Sequence, residues 1–124
     1  MKKGDYCALI GKWEQALEDK KSLMIYGDGS KRRDFTHVND IVDALVKIYE
    51  KQTWGHVFEL GRGENYSVKE IANMFEPEKI LYEPDKPGEA LSTCCDTSLA
   101  KTILNWEPRE DVNDYIEKFK KTLK

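Results

Sequence analysis

The chain has little of what marks a secreted, membrane-bound or nucleic-acid-binding protein. It holds only 3 cysteines in 124 residues; Cys7 stands alone, and Cys94 and Cys95 are adjacent. Neither a disulfide framework nor a Cys-x-x-Cys metal spacing can be built from that set. His37 and His56 are remote in sequence from the cysteines and from each other, so no metal site is expected. No apolar run approaches the length that spans a bilayer. The N-terminal Met1-Lys2-Lys3-Gly4-Asp5 carries basic residues without an apolar stretch of signal-peptide length. Positive charge is not in excess: 20 Lys and Arg against 23 Asp and Glu leave a net charge of −3. Non-specific nucleic-acid binding takes a concentrated basic surface instead. The expectation is a cytoplasmic protein with no membrane and no nucleic-acid partner.

Familiar catalytic signatures are missing too. Gly27-x-Gly29-x-x-Arg32 and Gly61-x-Gly63-x-x-Tyr66 each lack the third glycine of a dinucleotide fingerprint. Neither leads straight into a helix, so both read as ordinary turns. No Gly-x-Ser-x-Gly elbow occurs, and no Ser/His/Asp hydrolase pattern stands out.

What is present is a globular composition, 40% hydrophobic with 4 Phe, 3 Trp and 6 Tyr. Such a chain can bury one core, and residues 1–124 read as a single domain. Tyr6, Leu9, Ile10, Trp13, Ala16 and Leu17 recur at helical spacing after Asp5, a candidate cap. Leu23 to Tyr26 has the length of a buried strand and stops at the turn Gly27-Asp28-Gly29-Ser30. Lys31-Arg32-Arg33 follows, readable as a solvated turn, and then Asp34 to Val38 as extended chain. Asn39 or Asp40 can cap a helix to about Lys51, whose apolar residues from Ile41 to Tyr49 cover an arc of roughly 200°. That is broad enough to need cover on two sides. Val57 to Leu60 reads as a further strand, ended by Gly61-Arg62-Gly63. Ser67 and Glu70 form a capping box for a helix with Val68, Ile71, Ala72 and Phe75 inward, closed by Pro77. Ile80 to Tyr82 reads as a strand and Pro84 to Gly88 as a loop. Asp96 or Thr97 caps a short helix to Leu104, ended by Asn105. A last helix turns Val112, Tyr115, Ile116, Phe119 and Leu123 to one side. Trp13, Trp54 and Trp106 read as core or partly buried aromatics. The fold class is α/β: a small mixed domain of about five helices and several short strands.

The order of the motifs carries more than any one of them. Leu23-Met24-Ile25-Tyr26-Gly27-Asp28-Gly29 leads to Arg33-Asp34-Phe35-Thr36-His37-Val38-Asn39-Asp40-Ile41. Val57-Phe58-Glu59-Leu60-Gly61-Arg62-Gly63 and Tyr66-Ser67-Val68-Lys69-Glu70-Ile71 come next. Lys86-Pro87-Gly88-Glu89, Asp96-Thr97-Ser98-Leu99-Ala100 and Leu104-Asn105-Trp106-Glu107-Pro108 complete the series. From about Tyr6 to Lys120 the set resembles the C-terminal, substrate-binding part of the NAD-dependent epimerase/dehydratase family. These are extended short-chain dehydrogenase/reductases acting on nucleotide sugars, UDP-glucose 4-epimerases among them.

The resemblance implies a nucleotide diphosphate sugar as partner and a chain that lacks the Rossmann cofactor domain. It implies that Arg33 contacts the substrate diphosphate, a task suited to a planar, permanently charged guanidinium. It places backbone groups of Met24 and Tyr26 against the base, Lys86 at the diphosphate and Glu89 at the ribose. Lys86 stands where the family has arginine, keeping the charge without the bidentate fork. Leu99 and Asn105 replace a family Lys and Gly. The family's catalytic Tyr, with a Lys four residues on, has a counterpart in spacing only at Tyr82 and Lys86, where Pro84 and Pro87 preclude a helix. No catalytic residue is therefore assigned. NAD belongs to the complete family enzyme, and no cofactor is expected to be held by this chain alone. The broad apolar arc from Ile41 to Tyr49 would face the cofactor domain, so homo-oligomerisation or a separate cofactor-binding chain is expected to cover it. Three roles stay open: the substrate half of an incomplete enzyme, a standalone nucleotide-sugar-binding module, or a non-catalytic oligomeric remnant.

Overall fold

Among the described residues, three of the four α-helices begin where a side chain accepts a free amide of the first turn, the usual condition for starting a helix cleanly. The computed structural model describes residues 8–123. In order they form α1 (Leu9–Glu18), β1 (Leu23–Tyr26), β2 (Arg32–Arg33), α2 (Val38–Lys51), β3 (Tyr66–Ser67), α3 (Val68–Phe75), β4 (Ile80–Glu83), a π-helical turn (Ala100–Leu104) and α4 (Val112–Lys121). This is the small mixed α/β fold with five helical segments and short strands that the sequence implies. None of its helices is long and apolar enough to cross a membrane.

The caps correct two expectations. α2 starts at Val38, and its cap is His37, whose Nδ1 accepts the Asn39 amide at 3.0 Å. Asp40 is not a cap: it is 4% exposed, and its carboxylate accepts the Arg109 and Glu110 amides at 2.9 and 3.0 Å. The expected capping box of α3 forms, Ser67 accepting from Glu70 and Glu70 from Ser67. α4 is capped by Asp111. α1 begins at Ala8 without a side-chain cap; Asp5 and Tyr6 lie outside the described residues.

β1 and β4 pair in parallel, Leu23 opposite Ile80 and Tyr26 opposite Glu83. Leu23 and Ile25 turn inward and are buried, while Met24 and Tyr26 face outward. The basic triplet is not a simple turn, because Arg32 and Arg33 pair antiparallel with Ser67 and Tyr66 as β2 and β3. Residues 57–60 form no strand; Phe58 and Leu60 pack instead against a small core of Ala44, Ala100, Leu104 and Trp106. The larger core joins Trp13, Leu23, Ile25, Ile71, Phe75, Ile116 and neighbours from α1, β1, α3 and α4. The π-helical turn ends at Asn105 in the left-handed region, φ 52°.

Trp13 and Trp106 are buried, but Trp54 is 61% exposed and rests edge-on to Tyr49. It extends an open stripe on α2 made of Val38, Val42, Leu45, Val46 and Tyr49, each close to half exposed or more. At about 100° per residue those five fall within an arc of about 100°. The opposite side of α2 holds Asp40 and Ala44 against the small core. The expected broad apolar arc is thus real, and this chain covers one side of it.

Candidate nucleotide-sugar site

Three consecutive basic residues reach three different environments. Lys31 is almost buried; its ammonium lies 2.5 Å from Asp85 Oδ1 and 3.0 Å from Glu89 Oε2. The bonds to Asp85 and then Glu89 raise its pKa above the ordinary 10.5. Arg32 donates to the side-chain and main-chain oxygens of Asn65 and to Glu70. Arg33, half-buried on β2, donates only to the Arg32 carbonyl, at 2.7 Å, and has no carboxylate partner among the described residues. Alternation along the extended chain puts Lys31 and Arg33 on one face and Arg32 on the other.

Asp34, next in line, is a hub. Its carboxylate accepts the amides of Arg62 and Gly63, each at 3.0 Å, and of Cys95 at 3.3 Å, together with the Thr36 hydroxyl. Gly61 is required by this convergence, since a Cβ there would lie 2.6 Å from Cys95 Sγ and 2.8 Å from Asp34 Oδ2. Burial and the nearby Asp34 carboxylate push the Cys95 thiol above its ordinary range. The aspartate of the Arg-Asp-Phe motif therefore fixes the strand that carries Arg33 to two distant loops.

The other expected site residues fall into two groups. Lys86 Nζ sits 4.1 Å over the centre of the Tyr26 ring, a cation–π contact. Glu89 is paired with Lys31. Met24 and Tyr26 share the outer face of β1. The Leu23 and Gly27 amides bond to carbonyls of Lys79 and Glu83, so the main-chain groups of Met24 and Tyr26 point to the opposite edge of the strand. There the Met24 carbonyl accepts the Trp13 indole N–H at 3.1 Å, leaving Tyr26 nearer the free end. Arg33 makes no ion pair with Glu89. Sequence reasoning passed over Lys31, Asp34 and Asn65; apart from Thr36 beside Asp34, their side-chain partners lie 27 to 61 residues away along the chain and leave no local signal.

Met24, Tyr26, Lys86 and Glu89 are exposed, and Arg33 is half-buried. A cleft of about 420 Å³ between α1, α4 and residues 35–38 is lined by Ile10, Glu14, Phe35, His37, Asp111 and Tyr115, among others, and by none of the expected ligand contacts. In it the buried Glu14 carboxylate accepts the Tyr115 hydroxyl at 3.0 Å, as a satisfied structural pair would. Among the described residues no group of three or more His, Cys, Asp and Glu side chains is arranged to hold a metal. The two Gly-x-Gly turns do not make a dinucleotide cradle: the first runs into β2, the second toward β3. The α2 and α3 N-termini are each closed by their own caps.

Comparison with known proteins now bears on this geometry. Residues 8–119 match the family model described as GDP-mannose 4,6 dehydratase. A UDP-glucose 4-epimerase of Mycolicibacterium smegmatis is 27% identical over 115 residues, 89% of this chain and 37% of that protein. An epimerase structure from Methanothermobacter thermautotrophicus superposes with a TM-score of 0.87 at 26% identity, covering 95% of this chain and 37% of that one. A UDP-glucuronic acid 4-epimerase of Bacillus cereus, solved with UDP-glucuronic acid and NAD, gives 0.81 at 28% identity over 94% and 40%. The chain thus spans about two fifths or less of the length of these relatives. It belongs to the GDP-mannose 4,6-dehydratase family of NAD-dependent nucleotide-sugar epimerases and dehydratases.

Proposed function

We propose that residues 1–124 act as one nucleotide-sugar-binding unit of an NAD-dependent epimerase or dehydratase and do not turn over substrate alone. Arg33 grips the diphosphate, Lys86 assists it, Glu89 takes the ribose, and the β1 edge at Met24 and Tyr26 meets the base. The observation that carries this reading is the division of labour in the basic triplet. Lys31 and Arg32 are engaged by carboxylates and an amide of the chain itself, while Arg33 has no carboxylate partner among the described residues. Such a guanidinium is suited to a bidentate hold on phosphate oxygens. The likeness to the Bacillus cereus enzyme, solved with a UDP-sugar and NAD, supports the ligand class.

The chemistry comes from elsewhere. NAD, bound by a cofactor-binding portion, would supply the hydride exchange; the residues of this chain bind and orient the nucleotide end. The open stripe on α2 is where that portion docks, since about three fifths of each matched relative lies outside the region this chain resembles. Self-association through the same stripe, as in a binding module or a non-catalytic oligomer, is the second reading, favoured by the same exposed residues.

Calorimetric titration with UDP- and GDP-sugars tests the reading. Binding by the wild type and a loss of about tenfold or more in Arg33→Ala are expected, as for removal of a charge-assisted hydrogen bond. No binding of any nucleotide sugar would leave only the oligomeric remnant. A monomer at micromolar concentration that binds no apolar dye would overturn the docking role of α2.

A further inference from the structure

Lys31 connects two parts of the surface that the chain brings together from far apart. Its side chain is 11% exposed, and both of its carboxylate partners, Asp85 and Glu89, belong to the loop that also carries Lys86. Asp85 lies over the end of β1, where a Cβ on Gly27 would come within 3.2 Å of its carboxyl group. The chain leaving the loop is fastened as well: the Arg32 amide donates to Leu91, and the Thr93 amide donates to Arg32. The loop is therefore tied by its side chains to Lys31 and by its following backbone to Arg32. Glu89 is about half exposed, and its Oε1 has no bonding partner among the described residues.

We propose that Lys31 is the positioning residue that makes this loop a ribose clamp, holding Glu89 by one carboxylate oxygen so that the other meets the hydroxyls of a ribonucleoside diphosphate. The inference rests on the nucleotide-sugar reading given above and adds to it a residue and a selectivity. A carboxylate offers about four lone-pair positions, so the ammonium contact leaves room for a sugar hydroxyl. Holding the side chain in place beforehand removes an ordering cost from binding. A site built to bond a hydroxyl discriminates against a ligand that lacks it. The same ammonium offsets part of the repulsion between the two carboxylates, and between them and the incoming diphosphate.

The test compares UDP with 2′-deoxy-UDP on the full chain, by calorimetry, for the wild type, Lys31→Met, Lys31→Arg and Glu89→Gln. The wild type is expected to prefer UDP by about tenfold, the size of one hydrogen bond to a charged group. Lys31→Met and Glu89→Gln should bring that ratio near one, whereas Lys31→Arg, which keeps the charge, should retain most of it. A merely structural lysine would change both affinities together and leave the ratio intact. If Lys31→Met does not fold, Glu89→Gln, at a half-exposed position, still decides: an unchanged ratio overturns the clamp. Wild-type binding that depends on Arg33 but shows no ribose preference overturns the clamp and spares the nucleotide-sugar reading. The same titrations are run with GDP and 2′-deoxy-GDP, and a wild type that binds neither UDP nor GDP removes both readings.

Discussion

α2 and α3 make an instructive pair. Both are amphipathic, both are capped by a side chain at the residue before the helix, and both end in a left-handed residue, Gln52 and Glu76. α3 is the shorter, 8 residues, yet Ile71, Ala72 and Phe75 are essentially removed from water between β1 and α4. α2 has 14 residues and buries only Asp40 and Ala44, with a run of Val, Leu and Tyr side chains left in solvent. Scattered exposed apolar residues are ordinary, but a contiguous stripe extended by Trp54 has the form of an interface. α3 holds this chain together, whereas α2 leaves an apolar stripe in solvent, the surface proposed above for docking.

The largest effect belongs to Phe75→Ala. Removing a ring that packs edge-on to Trp13 and Phe119 should cost about 3–5 kcal/mol in urea unfolding. A loss under about 1 kcal/mol would mean that α3 is not the centre of the core. Next is Asp40→Ala, which leaves two amides and the 106–110 segment without their buried acceptor. About 2–3 kcal/mol is expected, measured the same way, and it would show that the closed side of α2 is anchored by polar contacts.

Ser67→Ala removes half of the capping box and should cost about 1 kcal/mol. Its partner adds a pH signature. The Ser67 main-chain amide, followed by the Ser67 hydroxyl and Arg32, holds the Glu70 carboxyl below its ordinary 4.5. A depressed carboxyl contributes stability that is present above the unfolded value and lost as pH falls through the folded one. Stability of the wild type relative to Glu70→Gln should therefore shrink below about pH 4.5, as followed by circular dichroism. A difference independent of pH would detach Glu70 from the cap. The smallest effect on stability is expected on the open stripe. Leu45→Gln should shift unfolding by no more than about 0.5 kcal/mol, yet lower apolar-dye binding and any self-association. A large destabilisation would mean that α2 is a core helix after all.

Legibility in the sequence followed the range of the interactions. β1 and α3 were readable because their signals are local: a four-residue apolar run before a glycine turn, and Ser67 with Glu70 three residues on. α2 was readable in its body but not at its start, since an imidazole at position 37 is a less familiar cap than Asn39 or Asp40. Asp40 was misread because its amide partners are 69 and 70 residues away. Residues 57–60 looked like a strand by composition, but no strand among the described residues pairs with them, and Phe58 and Leu60 pack against the small core of Ala44, Ala100, Leu104 and Trp106 instead. In the candidate site, the motif order pointed to Tyr26, Arg33, Lys86 and Glu89. That Lys31 fastens Glu89, and that Lys86 rests on Tyr26, emerges only once the chain has folded.

The convergence on Asp34 has a kinetic side. One carboxylate gathers amides from positions 62, 63 and 95, the farthest of them 61 residues along the chain. Contacts of that separation carry a loop-closure cost before they return any energy, and chains rich in them fold slowly. The strand bearing Arg33 should accordingly be set late in folding. Weakening Asp34 should then speed unfolding far more than it slows folding. A surface assembled last is also the first to be lost when the molecule opens.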